Sequence, residues 1–455
     1  MSWTQKTLGE IVNLKRGFDL PSSSRVDGPY PVFSSSGQTG THSEAAVKGP
    51  CVITGRYGTI GQVFYSDAAC WPLNTSLYST EFKGNNPKFV YYLLKTLPWR
   101  DYLTASAVPG INRNHVHLCP VCVPDYETQT SIATVLGLLD HKIDVNTKLN
   151  GYLADAVDGL FEKALGQAEE KTLTDVVEIL SGGTPKTKIS EYWEDGEIPF
   201  FGPGDANGST YCLTTAKRIT QLGLENCNSE LYPVDTVFLT ARGTVGKVAM
   251  AGKPMAMNQS CFAFRGLSVS QPAVYQIIKR AVRSLKAKAN GATFAAINTR
   301  DLKIEEILVP SDDELTAFEE EAASLHSMMR VNEEESLKLS SLRDALLPKL
   351  IAGEIDVSEL DLKQLNSHLA KSLRQLGRHV SPQKTGQSAL LRAAPRRWLS
   401  HHDPNRHRSP TYQKSQRAIP CVWAFLLGRN PLPPLPPDAA ARRLHGARSG
   451  TGRAI

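Results

Sequence analysis

The chain has 455 residues, 41% of them hydrophobic and 21% charged, which is enough for two or three domains that each bury a core. It contains no window of about 18 apolar residues and no apolar signal core after the first methionine, so neither a membrane span nor export is expected, and a cytoplasmic location is predicted. The eight cysteines are scattered and lie mostly in apolar surroundings, which favours reduced thiols over a disulfide framework.

The formal net charge of +6 is unevenly distributed. Residues 371–455 hold 16 of the 51 Lys and Arg residues but only two acidic residues, so residues 1–370 carry a net charge of −8. A uniformly basic nucleic-acid-binding surface is therefore excluded for the part before residue 371. Any DNA contact there has to come from local patches.

Residues 1–124 are predicted to form a first β-rich unit. After an amphipathic opening segment and a stretch rich in Gly, Ser and Pro that predicts loops, the runs 51–54 and 61–65 predict two strands. The turn-forming tip Gly55-Arg-Tyr-Gly-Thr-Ile60 joins them, and a last strand is predicted over Val116–Val123.

A first long spacer helix is predicted over residues 125–167. Apolar residues recur there at gaps of mostly three and four: Ile132, Leu136, Leu139, Ile143, Leu149, Leu153, Val157 and Leu160. A helix of about 40 residues is a rod of about 60 Å, and such a length without a surrounding domain favours a coiled-coil seam.

Residues 168–310 are predicted to form a second unit that repeats the first. The repeat is seen in a strand, a tip, a strand and two short polar motifs: Thr236–Thr240, Arg242–Gly246, Lys247–Met250, Asn258 (matching Asn74) and Ile297-Asn298 (matching Ile111-Asn112). The offsets stay between 184 and 186 residues, which indicates a tandem duplication.

A second long spacer helix is predicted over residues 311–357, with the same apolar spacing at Leu315, Phe318, Ala322, Leu325, Met329, Leu337, Leu342 and Leu346. Its surface carries the acidic runs Glu319–Glu321 and Glu333–Glu335, which phosphates would repel. This helix is therefore predicted to be a spacer or a protein-binding face, and DNA contacts are assigned to the two units.

Residues 358–455 have a different composition. A helix is predicted to about residue 376, and beyond it the chain is rich in Arg, His and Pro, with almost no acid and no periodicity, which predicts a disordered basic tail. Two interpretations stay open, a nucleic-acid-binding arm or a fortuitous extension past the natural end. The apolar cluster Cys421–Leu427 favours the second.

No catalytic residues are predicted. The sequence lacks a phosphate-binding Gly-x-x-x-x-Gly-Lys-Ser/Thr loop, a dinucleotide fingerprint, a Gly-x-Ser-x-Gly motif and an Asn-Pro-Pro-Tyr-like methyl-transfer motif. One cluster has zinc-like spacing, His115-x-His117-x-Cys119-x-x-Cys122. Alternation along the predicted strand sends Cys122 to the opposite face, and the second unit has no Cys or His there, so no metal site is expected.

The side chains suited to DNA lie on loops of both units. Arg can bond guanine or phosphate, Thr can bond either, and Gly lets the backbone approach. The candidates for DNA contact are Arg56, Tyr57, Thr59, Asn74, Asn112, Arg113, Lys186, Arg242, Thr244, Lys247, Asn258, Asn298 and Arg300. A structural alternative stays open, since tight hairpins need the same tip residues, and capping of a turn is the favoured role for Asn112 and Asn298.

In this order, the motifs resemble the specificity subunit of type I restriction–modification enzymes over residues 1 to about 357. The match is carried by the closing segment Leu342-Arg-Asp-Ala-Leu-Leu-Pro-Lys-Leu-Ile-Ala-Gly-Glu-Ile-Asp-Val357, by Ser181-Gly-Gly-Thr-Pro-Lys186 with Glu191-Tyr-Trp193 and Ile198-Pro-Phe-Phe201, and by the duplicated tips and Pro-led helices. The first unit matches less well, with Arg16-Gly-Phe18 where the second has Gly182-Gly-Thr184, so the units are expected to read different sequences.

The resemblance implies an α+β fold in which two tandem β-rich target-recognition domains are separated and followed by long antiparallel coiled-coil helices, in a pseudo-two-fold arrangement. Each domain would read one half of a bipartite double-stranded DNA target, and the helices would set the gap between the halves. The chain itself would bind no cofactor. Two methyltransferase (modification) subunits would bring S-adenosylmethionine, and restriction/translocase subunits would use ATP and Mg. The alternative from another class is a duplicated scaffold or adaptor that binds proteins across a coiled-coil spacer and has no DNA affinity.

Overall fold

A computed structural model describes residues 3–104, 109–288 and 296–357. The tail predicted from residue 358 lies outside them. Within these ranges two β-rich units alternate with two long helices, in the order unit, helix, unit, helix.

The first unit consists of short strands and short helices. Its strands are β1 (Thr4–Thr7), β2 (Asn13–Arg16), β3 (Tyr30–Ser34), β4 (Gly37–His42), β5 (Cys51–Gly55), β6 (Val63–Ser66), β7 (Trp71–Pro72), β8 (Ser76–Glu81) and β9 (Pro120–Val123). Its helices are α1 (Leu8–Ile11), α2 (Pro87–Lys95) and α3 (Arg113–His117), with 3₁₀ turns at Ser22–Ser24 and Trp99–Tyr102. The strands form sheets in the orders β2-β8-β5-β6 and β4-β3-β7 and a β1-β9 ribbon. β5 lies inside its sheet because its apolar residues Cys51, Val52 and Ile53 are fully buried.

The second unit repeats this layout after the first long helix, α4 (Tyr126–Ala164). Its strands are β10 (Ala168–Thr172), β11 (Val177–Ser181), β12 (Ile198–Phe201), β13 (Tyr211–Cys212), β14 (Lys217–Ile219), β15 (Val237–Thr240), β16 (Val248–Ala251), β17 (Ala256–Met257), β18 (Cys261–Gly266) and β19 (Glu306–Pro310). Its helices are α5 (Leu173–Val176), α6 (Gln221–Glu225), α7 (Gln271–Lys288) and α8 (Thr299–Lys303), with 3₁₀ turns at Leu165–Gln167 and Ser190–Tyr192. The sheets run β11-β18-β15-β16-β13 and β14-β12-β17, and β10 pairs with β19. The strand orders of the two units therefore correspond, with β13 added at one edge of the second.

Each unit is closed by an antiparallel ribbon of its first and last strands. Thr4 lies opposite Val123 in the first ribbon, and Ala168 lies opposite Pro310 in the second. The ribbon brings the two ends of a unit together. The following long helix therefore leaves each unit close to the point where the chain entered it.

The long helices are α4 and α9 (Asp312–Ile351). Asp125 caps α4, since its carboxylate accepts a hydrogen bond of 2.9 Å from the Thr128 N–H, and this bond lowers the pKa of Asp125. The first turn of α9 is acidic, which the helix dipole favours. The sequence predicted helices beginning just after Pro124 and Pro310, and both begin there.

The two long helices pack against each other in antiparallel orientation. The Arg343 guanidinium donates to Asp140 over 2.8 Å, and the ring centroids of Phe161 and Phe318 lie 5.0 Å apart. Residue numbers thus fall along α9 as they rise along α4. After α9, Gly353 adopts a φ of +75° and lies against the Trp3 indole, so the end of the second helix returns to the first unit.

The seam between the helices is apolar toward its ends and polar at its middle. The predicted apolar positions of α4 that are buried are Ile132, Leu136, Leu139, Leu153 and Val157. Ile143 and Leu149 are only half-buried, and the polar residues Lys142, Asn146 and Asn150 take the buried positions instead. The predicted apolar stripe is therefore wrong at the centre of α4.

Two further local predictions are corrected by the structure. The segment Val116–Val123 is not one strand, because Asn112 caps the short helix α3 by accepting a 3.0 Å hydrogen bond from the Asn114 N–H, and only β9 is extended. The stretch rich in Gly, Ser and Pro before β5 contains the β3–β4 hairpin as well as loops. The sequence does not predict these strands, because hairpin turns and loops contain the same residue types.

Candidate DNA interface

The tips that the sequence singled out join β5 to β6 and β15 to β16. Each contains two glycines with positive φ: Gly58 (+73°) and Gly61 (+89°) in the first unit, Gly243 (+81°) and Gly246 (+80°) in the second. These φ values explain why both tips have glycine at the same spacing. The glycines therefore have a structural role, since the turns at both tips need residues with positive φ. The sequence had left this role open as an alternative.

Each tip contacts the segment that leads into a short helix. The Ile111 N–H donates to the Arg56 carbonyl over 2.9 Å, and the Ile297 N–H donates to the Ala241 carbonyl over 2.9 Å. In the first unit Gly110 also packs on the Tyr57 ring, where a Cβ would come within 2.3 Å of a ring atom. Candidates that are far apart in sequence, the tips and the Asn-led helices, therefore share one surface in each unit.

The arginines of the two tips, Arg56 and Arg242, do not occupy equivalent positions. Arg56 and Ala241 accept the equivalent bonds from Ile111 and Ile297, which makes Tyr57 the counterpart of Arg242. Arg56 and Arg242, which lie on the two corresponding tips, are therefore one residue apart in the structural alignment. The tips share a backbone frame but carry different side chains on it.

A one-residue correction also applies to the asparagine pair. The Ser76 N–H donates to the Leu73 carbonyl, and the Cys261 N–H donates to the Asn258 carbonyl, so Asn258 matches Leu73. Asn74 instead matches Gln259: Asn74 bonds Asp19, as Gln259 bonds Thr184.

The recognition-domain opening is shifted in the same way. Gly17 approaches the Pro72 carbonyl as Gly182 approaches the Met257 carbonyl, so Arg16 stands opposite Ser181 rather than opposite Gly182.

In the first unit the juxtaposition forms a polar cavity of about 320 Å³. The residues that line it are Arg16, Arg56, Tyr57, Leu77, Thr104, Gly110, Ile111, Asn112, Arg113 and Asn114. The Arg56 guanidinium carbon lies 4.5 Å from the centroid of the Tyr57 ring, which limits its motion. Arg16 forms an exposed ion pair with Asp19 at 3.3 Å, whereas Arg56 and Arg113 form none with the residues that the structure describes.

Arg16 and Asn114 were not among the sequence candidates. Arg16 could have been found from its position, since it precedes the glycine that opens the predicted recognition domain. Asn114 carries no signal of its own.

In the second unit several candidates are engaged within the protein. The Thr244 hydroxyl donates to the Pro203 carbonyl over 2.9 Å, and the Lys247 ammonium donates to the Ala206 carbonyl over 2.9 Å. The Asn258 side chain accepts a 3.0 Å bond from the Ser260 N–H. These bonds hold the loops around the tip, and Arg242 stays exposed at its end.

The asparagines before the short helices are caps, which was the favoured alternative. Asn298 accepts a 3.0 Å bond from the Asp301 N–H, and the Asp301 carboxylate accepts one of 3.0 Å from the Asn298 N–H. Arg113 and Arg300, which follow the two caps, are exposed, as is the candidate Lys186. Thr59 is half-buried in its tip.

The zinc-like cluster is divided between two elements. His115 and His117 lie on α3, and the His117 Nε2 accepts a 3.0 Å hydrogen bond from the Leu14 N–H. Burial lowers the pKa of His117, which favours the neutral ring that this bond needs. Among residues 3–104, 109–288 and 296–357, no group of three His, Cys, Asp or Glu is arranged to hold a metal ion. In the same ranges, no helix is both long and apolar enough to cross a membrane.

The sequence matches one protein-family model twice. The model describes the type I restriction modification DNA specificity domain, and it covers residues 1–153 and 166–330. The chain belongs to this family. Its two matched segments begin with the two β-rich units, each followed by part of a long helix.

The chain is also similar to known specificity subunits and to a solved structure. The chain is 23% identical to the type I restriction enzyme HindI specificity subunit of Haemophilus influenzae, over 78% of this chain and 99% of the relative. It is 34% identical to the MjaIX specificity subunit of Methanocaldococcus jannaschii over 152 residues, 32% of this chain and 34% of the relative. A crystal structure of a type I restriction-modification S subunit from M. genitalium has the same fold, with a TM-score of 0.51 at 16% identity, over 77% of this chain and 96% of that one.

Proposed function

We propose that this chain is the DNA-reading subunit of a type I restriction–modification complex, in which each β-rich unit recognises one half of a bipartite double-stranded target. The observation that carries the proposal is the duplicated surface of tip and short helix, present in two copies within the matched family domains. Both copies keep the same backbone frame, and they differ in the side chains exposed on it. Such a pair suits an asymmetric target with two different half-sites.

The first unit offers guanidinium groups for its half-site. Arg16, Arg56 and Arg113 line one cavity. In the second unit Ser181 takes the place of Arg16, and Ala241 takes the place of Arg56. Guanidinium groups bond the O6/N7 edge of guanine or a backbone phosphate. Residues 1–370 carry a net negative charge, so DNA binding there needs a local basic patch. This cavity is proposed to be that patch.

The long helices are proposed to be a coiled-coil spacer between the two units. α4 contains 39 residues, which corresponds to about 58 Å of helix. The proposed arrangement has the two units at opposite ends of the pair, related by a pseudo-two-fold axis, and the antiparallel packing of α4 against α9 supports it. The length of the pair then sets the gap between the half-sites.

The chemistry of the complex is assigned to other subunits. Two methyltransferase subunits are proposed to dock on this chain and to bring S-adenosylmethionine, and restriction/translocase subunits to bring ATP and Mg. The acidic residues Glu320, Glu321 and Glu334 of α9 are unsuited to DNA and are available for protein contacts, whereas Glu319, Glu333 and Glu335 bond other residues of this chain.

The proposal is tested by sequencing that detects N6-methyladenine in a host expressing this chain with its methyltransferase partner, compared with a host lacking only this chain. A bipartite methylated motif that depends on the chain is expected. Unchanged methylation, with the partner shown to be active, would contradict DNA reading and favour the scaffold alternative.

A further inference from the structure

Six polar side chains meet at the middle of the long-helix pair: Lys142, Asn146, Asn150, Asn332, Glu335 and Ser336. We call them the central polar cluster. Lys142 is 2% exposed, Asn146 0% and Asn332 1%, a degree of burial that is rare for lysine.

The cluster satisfies its groups with bonds across the seam. The Lys142 ammonium lies 2.8 Å from a Glu335 carboxylate oxygen and donates to the Asn146 side-chain oxygen over 3.0 Å. The Asn146 amide in turn donates to the same Glu335 oxygen over 2.8 Å. The Asn332 amide donates to the Asn150 side-chain oxygen over 2.8 Å. The Lys142–Asn146 bond lies within α4, whereas the bonds to Glu335 and Asn332 cross the seam and are available at one alignment of the helices only.

The cluster also lies on the symmetry axis of the duplication. Asn332 follows Asn146 by 186 residues, and Ser336 follows Asn150 by 186 residues. The Asn146–Ser336 bond of 3.2 Å and the Asn332–Asn150 bond of 2.8 Å are therefore the same contact made once by each repeat. The midpoints of the two helices face each other at this place.

The Lys142–Glu335 ion pair is a poor source of stability, because its lysine is buried while the Glu335 side chain is 40% exposed. Taking a charge out of water costs about as much as its attraction to the partner returns, and apolar residues of similar size are often at least as stable. Polar groups in a helical seam instead select one register, because a slide leaves a buried charge without a partner, whereas apolar contacts re-form after a slide.

The register of the helices is linked to the position of the units. The first unit is bonded to α4, through Tyr92 and Asp140 at 2.6 Å, and the second unit is bonded to α9, through the Ser270 N–H and Glu319 at 2.7 Å. A displacement of one helix along the other would therefore change the separation of the two DNA-reading surfaces. A slide of seven residues, which brings the same helix faces together again, is about 10 Å, or about three base pairs of DNA.

We propose that the central polar cluster fixes the helix register and thereby restricts this chain to one spacing between its DNA half-sites. The inference rests on the proposed function. The six residues act through the position of the units and touch no DNA themselves.

The test replaces the buried members by leucine, as Lys142→Leu, Asn146→Leu, Asn150→Leu and Asn332→Leu in one chain, assembled with its methyltransferase subunits. The matched control is Lys148→Leu, which changes an exposed lysine of the same helix that pairs with Asp144 at the surface. The probes are duplexes carrying the methylated motif of the unaltered complex, with its spacer lengthened or shortened by one to three base pairs. Binding to each duplex and the spacers methylated in the cell are both measured.

The leucine variant is expected to melt no lower than the unaltered chain and to lose at least tenfold of its preference for the correct spacer, while the control keeps that preference. Should the fourfold variant fail to fold, Lys142→Met is measured instead and is expected to shift in the same direction. The charge-swapped chain, Lys142→Glu with Glu335→Lys, is expected to have the spacer preference that the leucine and Lys142→Met variants lose. Unchanged spacer preference in a folded variant overturns the inference alone, whereas absence of any motif with the unaltered chain overturns the proposed function.

Discussion

Replacing Arg56 and Arg113 by alanine should weaken DNA binding chiefly through the loss of charge in the first unit's cavity. The two guanidinium groups face that cavity and form no ion pair with the residues the structure describes, so they are available to a ligand. Arg56 does contact the Tyr57 ring, but an exposed contact of this type contributes only about 0.5–1 kcal/mol. The double variant is therefore expected to fold.

The magnitude follows from what a guanidinium contributes to DNA binding. Each arginine that contacts a base contributes about 1–3 kcal/mol, so the pair contributes at least about 2 kcal/mol, or a loss of about 30-fold in affinity. Each arginine that neutralises a phosphate also contributes about 0.9 to the slope of log K against log salt, so loss of two phosphate contacts lowers that slope by about 2.

The assay is a fluorescence-anisotropy titration of the methyltransferase-containing complex with a duplex carrying its motif, repeated between about 50 and 200 mM salt. Lys15→Ala is the matched control, because Lys15 neighbours Arg16 on β2 and successive strand residues point to opposite faces. An affinity within twofold of the unaltered chain, with an unchanged salt slope, would refute the assignment of this cavity to DNA. A loss of affinity without a change of slope would place the arginines on bases.

Three further outcomes are expected. Phe161→Ala should destabilise the protein by about 3–5 kcal/mol in chemical denaturation, because Phe161 is 0% exposed and packs edge-on against Phe318 where helix and unit meet. Asn298→Ala should lower the free energy of unfolding by about 1 kcal/mol, because it removes the cap shared with Asp301, whereas Asn298→Asp should keep that free energy. If Asn298→Asp weakens DNA binding and Asn298→Ala does not, Asn298 lies near phosphates. Burial lowers the pKa of His326 to about 4 from an ordinary 6.5, so the proton prefers the unfolded chain. The free energy of unfolding is therefore not reduced by His326 above pH 6.5, and it falls by about 3 kcal/mol as the pH is lowered to 4. His326→Gln should flatten this part of the curve of unfolding free energy against pH. An equally steep curve would contradict the assignment to His326.

The elements that sequence reasoning located correctly have strong local signals. The long helices follow from apolar spacing over about 40 residues and from the prolines before them, and the tips follow from glycines whose positive φ values a tight turn requires. The duplication was visible because such residues recur at a nearly constant offset.

One error has a local cause and another depends on a tertiary contact. Alternating His115, His117 and Cys119 imitate a strand, but the cap at Asn112 starts a helix there. Lys142 is buried because a partner lies across the seam, information that a single-helix pattern does not contain.

Equivalence to within one residue was not predicted, although the glycines of the tips contain it, since Gly58 and Gly61 align with Gly243 and Gly246. Arg56 and Arg242 align by residue type, whereas the backbone bonds align Arg56 with Ala241. The cavity depends on this geometry, since β2, the tip and the start of α3 come together only in the folded unit.

The most direct test of the central claim, that each unit reads one half of the target, is the methylome of a hybrid chain. In the hybrid, residues 168–310 are replaced by the corresponding unit of another specificity subunit, while residues 1–167 and 311–357 are kept. The account predicts that one half of the methylated motif changes, and that the other half and the spacing between the halves stay the same. A change in both halves, or in neither while methylation persists, would contradict it.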